Sequence, residues 1–241
     1  MSLFIKKLLR VYEKLLAHYG AQNWWPAESK WEIMVGAILT QNTSWKNVEK
    51  ALANLKREHV LAPRRLREIE IERLTELSRS AGFTSSKPKR LKTLVEFLFR
   101  EYDGDPEKMR GGDLEKQRAQ LLGLNGIGPE TADVILLYVA EQPIFVVDAY
   151  TRRIFSRMGI GNGNAANGNV TANVPYDELQ KWFMDHLPHD VAMFNEFHAL
   201  LDIHAKDTCT KRAPRCPKCP LQEMCLKIGL GSLGGLMVCD T

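Results

Sequence analysis

The chain has 241 residues, enough for one large or two small domains, and 44% of them are hydrophobic, which supports an ordinary packed core. Lysine and arginine outnumber aspartate and glutamate by 33 to 29, a net charge of +4 that permits a polyanionic partner without demanding one. No apolar run approaches the ~20 residues of a membrane span, and the amino terminus lacks a secretory pattern. All five cysteines lie beyond residue 208, too clustered for a disulfide framework, so the chain reads as an intracellular, cytoplasmic protein.

In chain order, residues 3–19 predict an amphipathic helix. Phe4, Leu8, Tyr12, Leu15 and Leu16 share one face, with Lys6, Lys7, Arg10 and Lys14 between them. Gly20 is a fitting stop. Asn23-Trp24-Trp25-Pro26 follows, a polar, proline-ended segment with two adjacent tryptophans. Neighbouring loop residues do not easily share one core contact, so one indole is expected to cover the core and the other to line a cleft. Residues 30–42 predict the next helix, with Trp31, Ile33, Met34, Ala37, Ile38 and Leu39 apolar. It ends in the polar run Thr40-Gln41-Asn42-Thr43-Ser44, and Lys46 to Glu58 continues as a helix with Val48, Leu52 and Leu55 inward. Residues 63–80 alternate charge and leucine and read as one helix, broken by Ala81-Gly82-Phe83. Lys87, Lys89, Arg90 and Lys92 then precede an apolar helix from Leu91 to Phe99. Four cations in six residues either face phosphates or form a solvated helix face. Asp103 to Gly112 reads as a loop without a catalytic signal.

The densest signal runs from Leu121 to Arg153. Leu114 to Leu122 predicts a helix that enters the turn Gly126-Ile127-Gly128. Glycine suits a backbone that takes positive φ or approaches a ligand closely. Pro129 sits where a first helical position would be, and Val134, Ile135, Leu137 and Tyr138 fall on one helical face. A helix entered through glycines offers N–H groups and the positive end of its dipole, so it can hold a phosphate. A packing corner explains the same glycines, and the turn alone is a weak signal. Asp148 follows the apolar run Ile144-Phe145-Val146-Val147 and precedes Arg152-Arg153. It is placed to cap the helix of residues 149–158, and a capping carboxylate can also face a cleft.

Residues 161–173, GNGNAANGNVTAN, are too polar to bury much surface and read as a mobile surface loop. Helices are expected over 175–187, with Leu179, Trp182 and Phe183 inward, and over 191–203, leading to His204. A histidine beside apolar residues reads as a structural group. Cys209, Cys216, Cys219 and Cys225 then follow with spacing C-x6-C-x2-C-x5-C. Such a thiolate set binds zinc or an iron–sulfur cluster, and spacing alone barely separates the two. Lys211, Arg212, Arg215 and Lys218 make the segment basic. Cys239 lies in a glycine-rich tail and reads as a free thiol.

The pattern L-x-G-x-x-G-I-G-x-x-T-A-D, followed by V-V-D, resembles the helix-hairpin-helix DNA glycosylase superfamily in its endonuclease III branch. The resemblance covers roughly residues 20–226. It implies an all-α, two-domain fold: a six-helix domain over 23–142 with its hairpin at about 114–139, and an iron–sulfur cluster domain built from 1–22 and 143–228. Residues 229–241 would be a flexible tail. The resemblance implies that Asp148 assists cleavage of the bond between base and sugar. The lysine that attacks the sugar in bifunctional members is matched here by Glu130, and a carboxylate cannot form that imine. It also implies that Gln41, with Asn42, enters the DNA helix, that Gly126, Ile127 and Gly128 grip a phosphate with a monovalent cation at the turn, and that Arg152, Lys211 and Arg212 contact the DNA. The cysteine spacing resembles the endonuclease III loop that holds a [4Fe–4S] centre; zinc is the alternative. W-W-P, then G-A-x-L-T-Q-N-T followed by an aromatic, resembles the 3-methyladenine DNA glycosylases of the superfamily. There, aromatics from these segments sandwich the damaged base. That match implies a base pocket of Trp24, Trp25, Pro26, Trp45 and Glu130.

Together these imply a monomeric, monofunctional glycosylase of base excision repair acting on double-stranded DNA with an alkylated purine. The chain combines the pocket signature of one subgroup with the cluster signature of the wider family. Two other classes compete. One is a same-fold enzyme for oxidised pyrimidines or mismatched bases, with or without lyase activity. The other is a non-enzymatic DNA-binding module with a structural zinc.

Overall fold

The structure, a computed structural model, describes residues 3–160 and 174–230. These form α1 (Leu3–Tyr19), α2 (Lys30–Leu39), α3 (Trp45–Arg57), α4 (Pro63–Glu68), α5 (Ile71–Ser78), α6 (Lys87–Tyr102), α7 (Leu114–Leu122), α8 (Pro129–Tyr138), α9 (Ala149–Met158), α10 (Tyr176–His186) and α11 (Val191–Asp207), with short 3-10 turns and no strand among the described residues. The glycine- and asparagine-rich loop 161–173 and the tail with Cys239 lie outside the described residues. No described helix is long and apolar enough to cross a membrane.

The chain divides into two compact units. One comprises residues 23–146 with 189–195. Its core is built from α2, buried nearly all round (Met34, Val35, Ile38, Leu39 among others), and from one face each of α3 (Val48, Leu52, Leu55) and α6 (Leu91, Leu94, Val95, Leu98), closed around α8. Every residue from Thr131 to Ala140 is buried, so α8 is the central rod of this unit. Asp133 on that rod is fully buried and takes a two-pronged bond from Arg118 of α7, at 2.8 and 3.3 Å. This pair ties the two arms of the hairpin together. Breaking such a pair from one side costs about 3–5 kcal/mol.

The other unit comprises the described residues within 1–22, 147–188 and 196–230. Leu8, Val11 and Leu15 of α1 join Ile154 and Phe155 of α9, Leu179 and Phe183 of α10, and Phe197 and Leu200 of α11 in its core. Phe155 meets Phe183 edge to face at 4.9 Å, and Tyr12 meets Phe197 at 5.4 Å. Gly20, at φ 72°, ends α1 by donating its N–H to Leu16.

Two expectations change. The stretch 63–80 is not one helix: Ile69 and Glu70 are extended and separate α4 from α5. The carbonyls of Arg67 and Ile69 accept from the Lys92 ammonium of α6, so the break is sealed by a cation 23 or more residues away. The cations at 87–92 likewise do not share one face. Lys87 is fully buried and donates to the carbonyls of Leu39 (2.8 Å) and Ala81 (2.7 Å), Lys92 seals the α4 end, and Arg90 reaches Gln41. Lys89 alone of the four is exposed. Burial, then the nearby Arg90 charge, brings the Lys87 ammonium down to about 8.

Candidate functional site

The hairpin turn joins α7 to α8 through Gly123–Gly128. Asp113 caps α7 by accepting from Lys116 N–H at 2.8 Å, and Gly128, exposed, occupies the N-cap of α8 ahead of Pro129. Gly126 takes φ 84° while Ile127 is buried beneath the turn. Only glycine fits position 126 for two reasons: the left-handed backbone, and the Arg90 side chain, which an added Cβ would strike. The α8 start therefore presents a dipole end and an open glycine, as an anion site requires.

Gln41 sits in the turn after α2 and is clasped to this hairpin. Its Nε2 donates to the Thr131 hydroxyl at 2.9 Å and to the Gly126 carbonyl at 3.2 Å, and its Oε1 accepts from Arg90. Asn42 beside it is exposed at φ 53°. Glu130 is exposed in the first turn of α8.

The aromatic segments gather at the other end of α8. Trp24 and Trp25 stack on each other (5.0 Å between ring centroids, 22° between planes), and both are half-buried. The two rings lie against each other, and Trp25 is the one that reaches Gly36 of α2. Trp45 meets Trp25 at 5.4 Å and 81°, and Tyr138 meets both Trp25 (5.5 Å) and Trp24 (6.2 Å). Trp25 lies against Gly36, whose missing side chain leaves room for the indole, and its Nε1 is buried without an acceptor. Pro26 is exposed. The planes of Trp25 and Trp45 are nearly perpendicular, so a base could lie between them only after they turn toward parallel. Glu130 stands eight residues before Tyr138, about 12 Å along the helix axis.

Asp148 caps α9. Its Oδ1 accepts from Thr151 N–H (2.7 Å) and from the Thr151 hydroxyl (2.8 Å), while Oδ2 lies 3.9 Å from His198 Nε2. Burial holds His198 below the ordinary histidine range, although Asp148 and Asp202 pull the other way. The lowered proton affinity favours the neutral imidazole beside Asp148. Arg152, half-buried, donates to the Val174 carbonyl at 2.7 Å.

Cys209, Cys216, Cys219 and Cys225 line a single pocket with Arg157, His204, Met158 and Leu221. None is in a disulfide. Burial, with smaller contributions from the other three thiols, pushes Cys219 up to about 11. Arg157 donates to Cys209 Sγ at 3.2 Å and to the carbonyls of Cys209, Thr210 and Lys211, holding the loop by its backbone. His204 is buried, held near 4 chiefly by that burial, and bonds to the Tyr19 hydroxyl at 3.0 Å, as a structural histidine does. Among the described residues, no three His, Cys, Asp or Glu side chains are set closely enough to hold a single ion. Lys211 and Arg212 are exposed.

Three residues escaped the sequence reading. Tyr138 looked like one more apolar position on α8. Arg90 was hidden in a charge run. Phe83, which read only as a helix breaker, is 56% exposed at φ 49° and packs beside the Lys87 ammonium. An aromatic directly after a glycine, in a polar loop, was the available signal for Phe83.

Residues 35–174 match the profile of the HhH-GPD superfamily of base excision DNA repair proteins. The chain named "Putative DNA repair glycosylase" in Methanocaldococcus jannaschii is 47% identical over 91% of this chain and 96% of its own length. An endonuclease III of Sulfolobus acidocaldarius is 28% identical over 80% of this chain and 79% of its own. Among solved structures, the H. pylori 3-methyladenine DNA glycosylase bound to 1,N6-ethenoadenine is 27% identical, with a TM-score of 0.70 over 85% of this chain and 98% of that one. The hairpin, the all-helical fold and these likenesses agree: this chain belongs to the HhH-GPD superfamily and is a DNA glycosylase of base excision repair.

Proposed function

We propose that the chain is a monofunctional glycosylase that removes alkylated purines of the 3-methyladenine type from double-stranded DNA. The observation that carries this reading is the aromatic cluster of Trp24, Trp25, Trp45 and Tyr138. A 3-alkylated adenine carries positive charge on its ring, so its bond to the sugar is already weak. Its recognition needs electron-rich faces more than it needs an acid. A cation over an indole gains roughly 0.5–2 kcal/mol, and stacking on an aromatic adds about 1–3 kcal/mol per base. Those gains offset the few kcal/mol typically lost when a nucleotide is flipped out.

In this reading the hairpin glycines hold the DNA backbone while Gln41 and Asn42 enter the helix. Phe83 adds an apolar wedge of the kind that unstacks base steps. The base stacks on the indoles. The C1′–N bond then breaks, its electron pair leaving on the base and cancelling the ring charge. Asp148 stabilises the sugar cation and orients a water, whose oxygen bonds to C1′ and whose proton departs to solvent. Glu130, at the position of the attacking lysine in lyases, provides no amine, so the backbone stays intact.

The cysteine pocket supports a [4Fe–4S] cluster. Zinc would draw all four sulfurs to about 2.3 Å from one centre, whereas a four-iron cluster takes one thiolate at each of four separated irons. The cluster reading over zinc rests on the spacing C-x6-C-x2-C-x5-C and its likeness to the endonuclease III loop. When bound, the cluster supplies a rigid, charge-compensating node. Arg157 and the cysteines would then fix the basic loop of Lys211 and Arg212 for contacts that are salt-sensitive and blind to sequence.

The test is release of 3-methyladenine from alkylated duplex DNA. Wild type should release it, and Asp148→Asn should bind the same duplex while cutting little. Near-normal turnover by Asp148→Asn would remove the aspartate from the mechanism. The 28% identity to an endonuclease III favours a second reading, excision of oxidised pyrimidines or mismatched bases. A panel of lesion duplexes separates the two.

A further inference from the structure

Gln41 is an unusual candidate for a residue that enters DNA, because its amide is already committed. Both functional ends are bonded within the protein: Nε2 to Thr131 and Gly126, Oε1 to Arg90. Its insertion therefore requires these bonds to open. Thr131 and Gly126 are neutral and part of the hairpin itself. Arg90 differs. It is a half-exposed cation, no carboxylate among the described residues pairs with it, and its only described hydrogen bond is to a neutral amide. Its Nε, Cδ and Cγ lie directly over Gly126, at the turn proposed to receive a DNA phosphate. Guanidinium bonds to phosphate are shorter and stronger than bonds to a neutral amide, and its fork matches a phosphate with two parallel N–H groups.

We propose that Arg90 is a phosphate-responsive clasp on Gln41. In the free protein it holds Gln41 against the hairpin. When a backbone phosphate of the DNA reaches the turn, the guanidinium moves to it and lets go of Oε1. Gln41 is thereby released once the hairpin is on DNA. Arg90 is a positioning residue for base extrusion and takes no part in bond cleavage. This rests on the reading of Gln41 as the residue that enters the helix.

The experiment uses duplexes carrying 1,N6-ethenoadenine with 2-aminopurine as a neighbour, whose fluorescence rises when the base stack opens. Each phosphate near the lesion is replaced in turn by an uncharged methylphosphonate. Extrusion rates are read by stopped flow with the DNA fully bound, which removes plain loss of affinity. In wild type, one methylphosphonate position should slow extrusion about tenfold or more, the scale of a lost hydrogen bond to a charged group. Arg90→Met should extrude without responding at that position, and Arg90→Lys should respond. Arg90→Gln takes the place of Arg90→Met, with the same expectation, should the latter not fold. Equal responses in wild type and Arg90→Met, or no responsive position in wild type, would overturn the clasp. Gln41→Ala separates the two readings. If it extrudes the base at the wild-type rate while wild type still responds at one phosphate, the role of Gln41 falls and Arg90 is a phosphate contact only.

Discussion

Trp45→Ala is the sharpest probe of how the base is recognised. Trp45 touches Trp25 at 5.4 Å with the planes 81° apart, so the substitution removes one indole and leaves the stacked Trp24–Trp25 pair. For a cationic base, the loss combines stacking, about 1–3 kcal/mol, with cation–π attraction, about 0.5–2 kcal/mol. The sum, about 1.5–5 kcal/mol, corresponds to roughly a tenfold to several-thousandfold fall in kcat/KM. The remaining indoles keep part of the attraction, so the lower part of that range, about 10–100-fold, is expected. A neutral base such as hypoxanthine loses only the stacking share, and Trp45→Phe should recover most of it. The assay is single-turnover release from duplexes carrying each lesion, with thermal unfolding followed in parallel. The lost edge contact to Trp25 should cost only about 0.5–1.5 kcal/mol of stability. Equal release by wild type and Trp45→Ala would place the pocket elsewhere. An equal loss for cationic and neutral bases would remove the charge argument.

Free 3-methyladenine should alter the intrinsic tryptophan fluorescence of the wild type, because the nearly perpendicular planes of Trp25 and Trp45 must turn to take a base. No change at saturating base would argue against that turn. Asp133→Leu should lower stability by about 3–5 kcal/mol, read by denaturant unfolding, because Arg118 loses the buried carboxylate that takes both prongs of its guanidinium. The double substitution Asp133→Leu, Arg118→Met should recover much of the loss. Lys87 has its proton affinity depressed from 10.5 to about 8 in the folded state, so the folded chain binds fewer protons in that window than the unfolded one. Its contribution to stability is fully present above 10.5 and is lost as pH falls through 8. The stability difference between wild type and Lys87→Met should therefore grow from pH 8 to 10.5, by up to about 1.4 kcal/mol per unit. A flat difference would contradict it. Protein purified without oxygen should be brown, and Cys219→Ala should bleach it and weaken DNA binding at moderate salt. A colourless wild type with bound zinc would refute the cluster.

The hairpin was legible because its signals are local. Gly126, Gly128 and Pro129 punctuate a helix start, and the apolar run behind them is unbroken. The Asp148 cap was equally local, three residues from its donor. What stayed hidden depends on partners far apart in the chain. The α4–α5 break is permitted by Lys92, and the burial of Lys87 by carbonyls of Leu39 and Ala81. Periodicity cannot register an ammonium that seals another helix. The shared contact of Trp24 and Trp25 depends on Gly36, which makes room for one of them, and on Tyr138, more than a hundred residues later. Gln41 could be read as polar and placed in a loop, but its bonds to Arg90 and Thr131 required the fold.

The proposed glycosylase cleaves with a carboxylate and without an amine nucleophile. Borohydride trapping during base release from alkylated duplex DNA tests this directly. Wild-type protein should release the base and leave no covalent protein–DNA adduct. An abundant adduct formed as the base departs would contradict it.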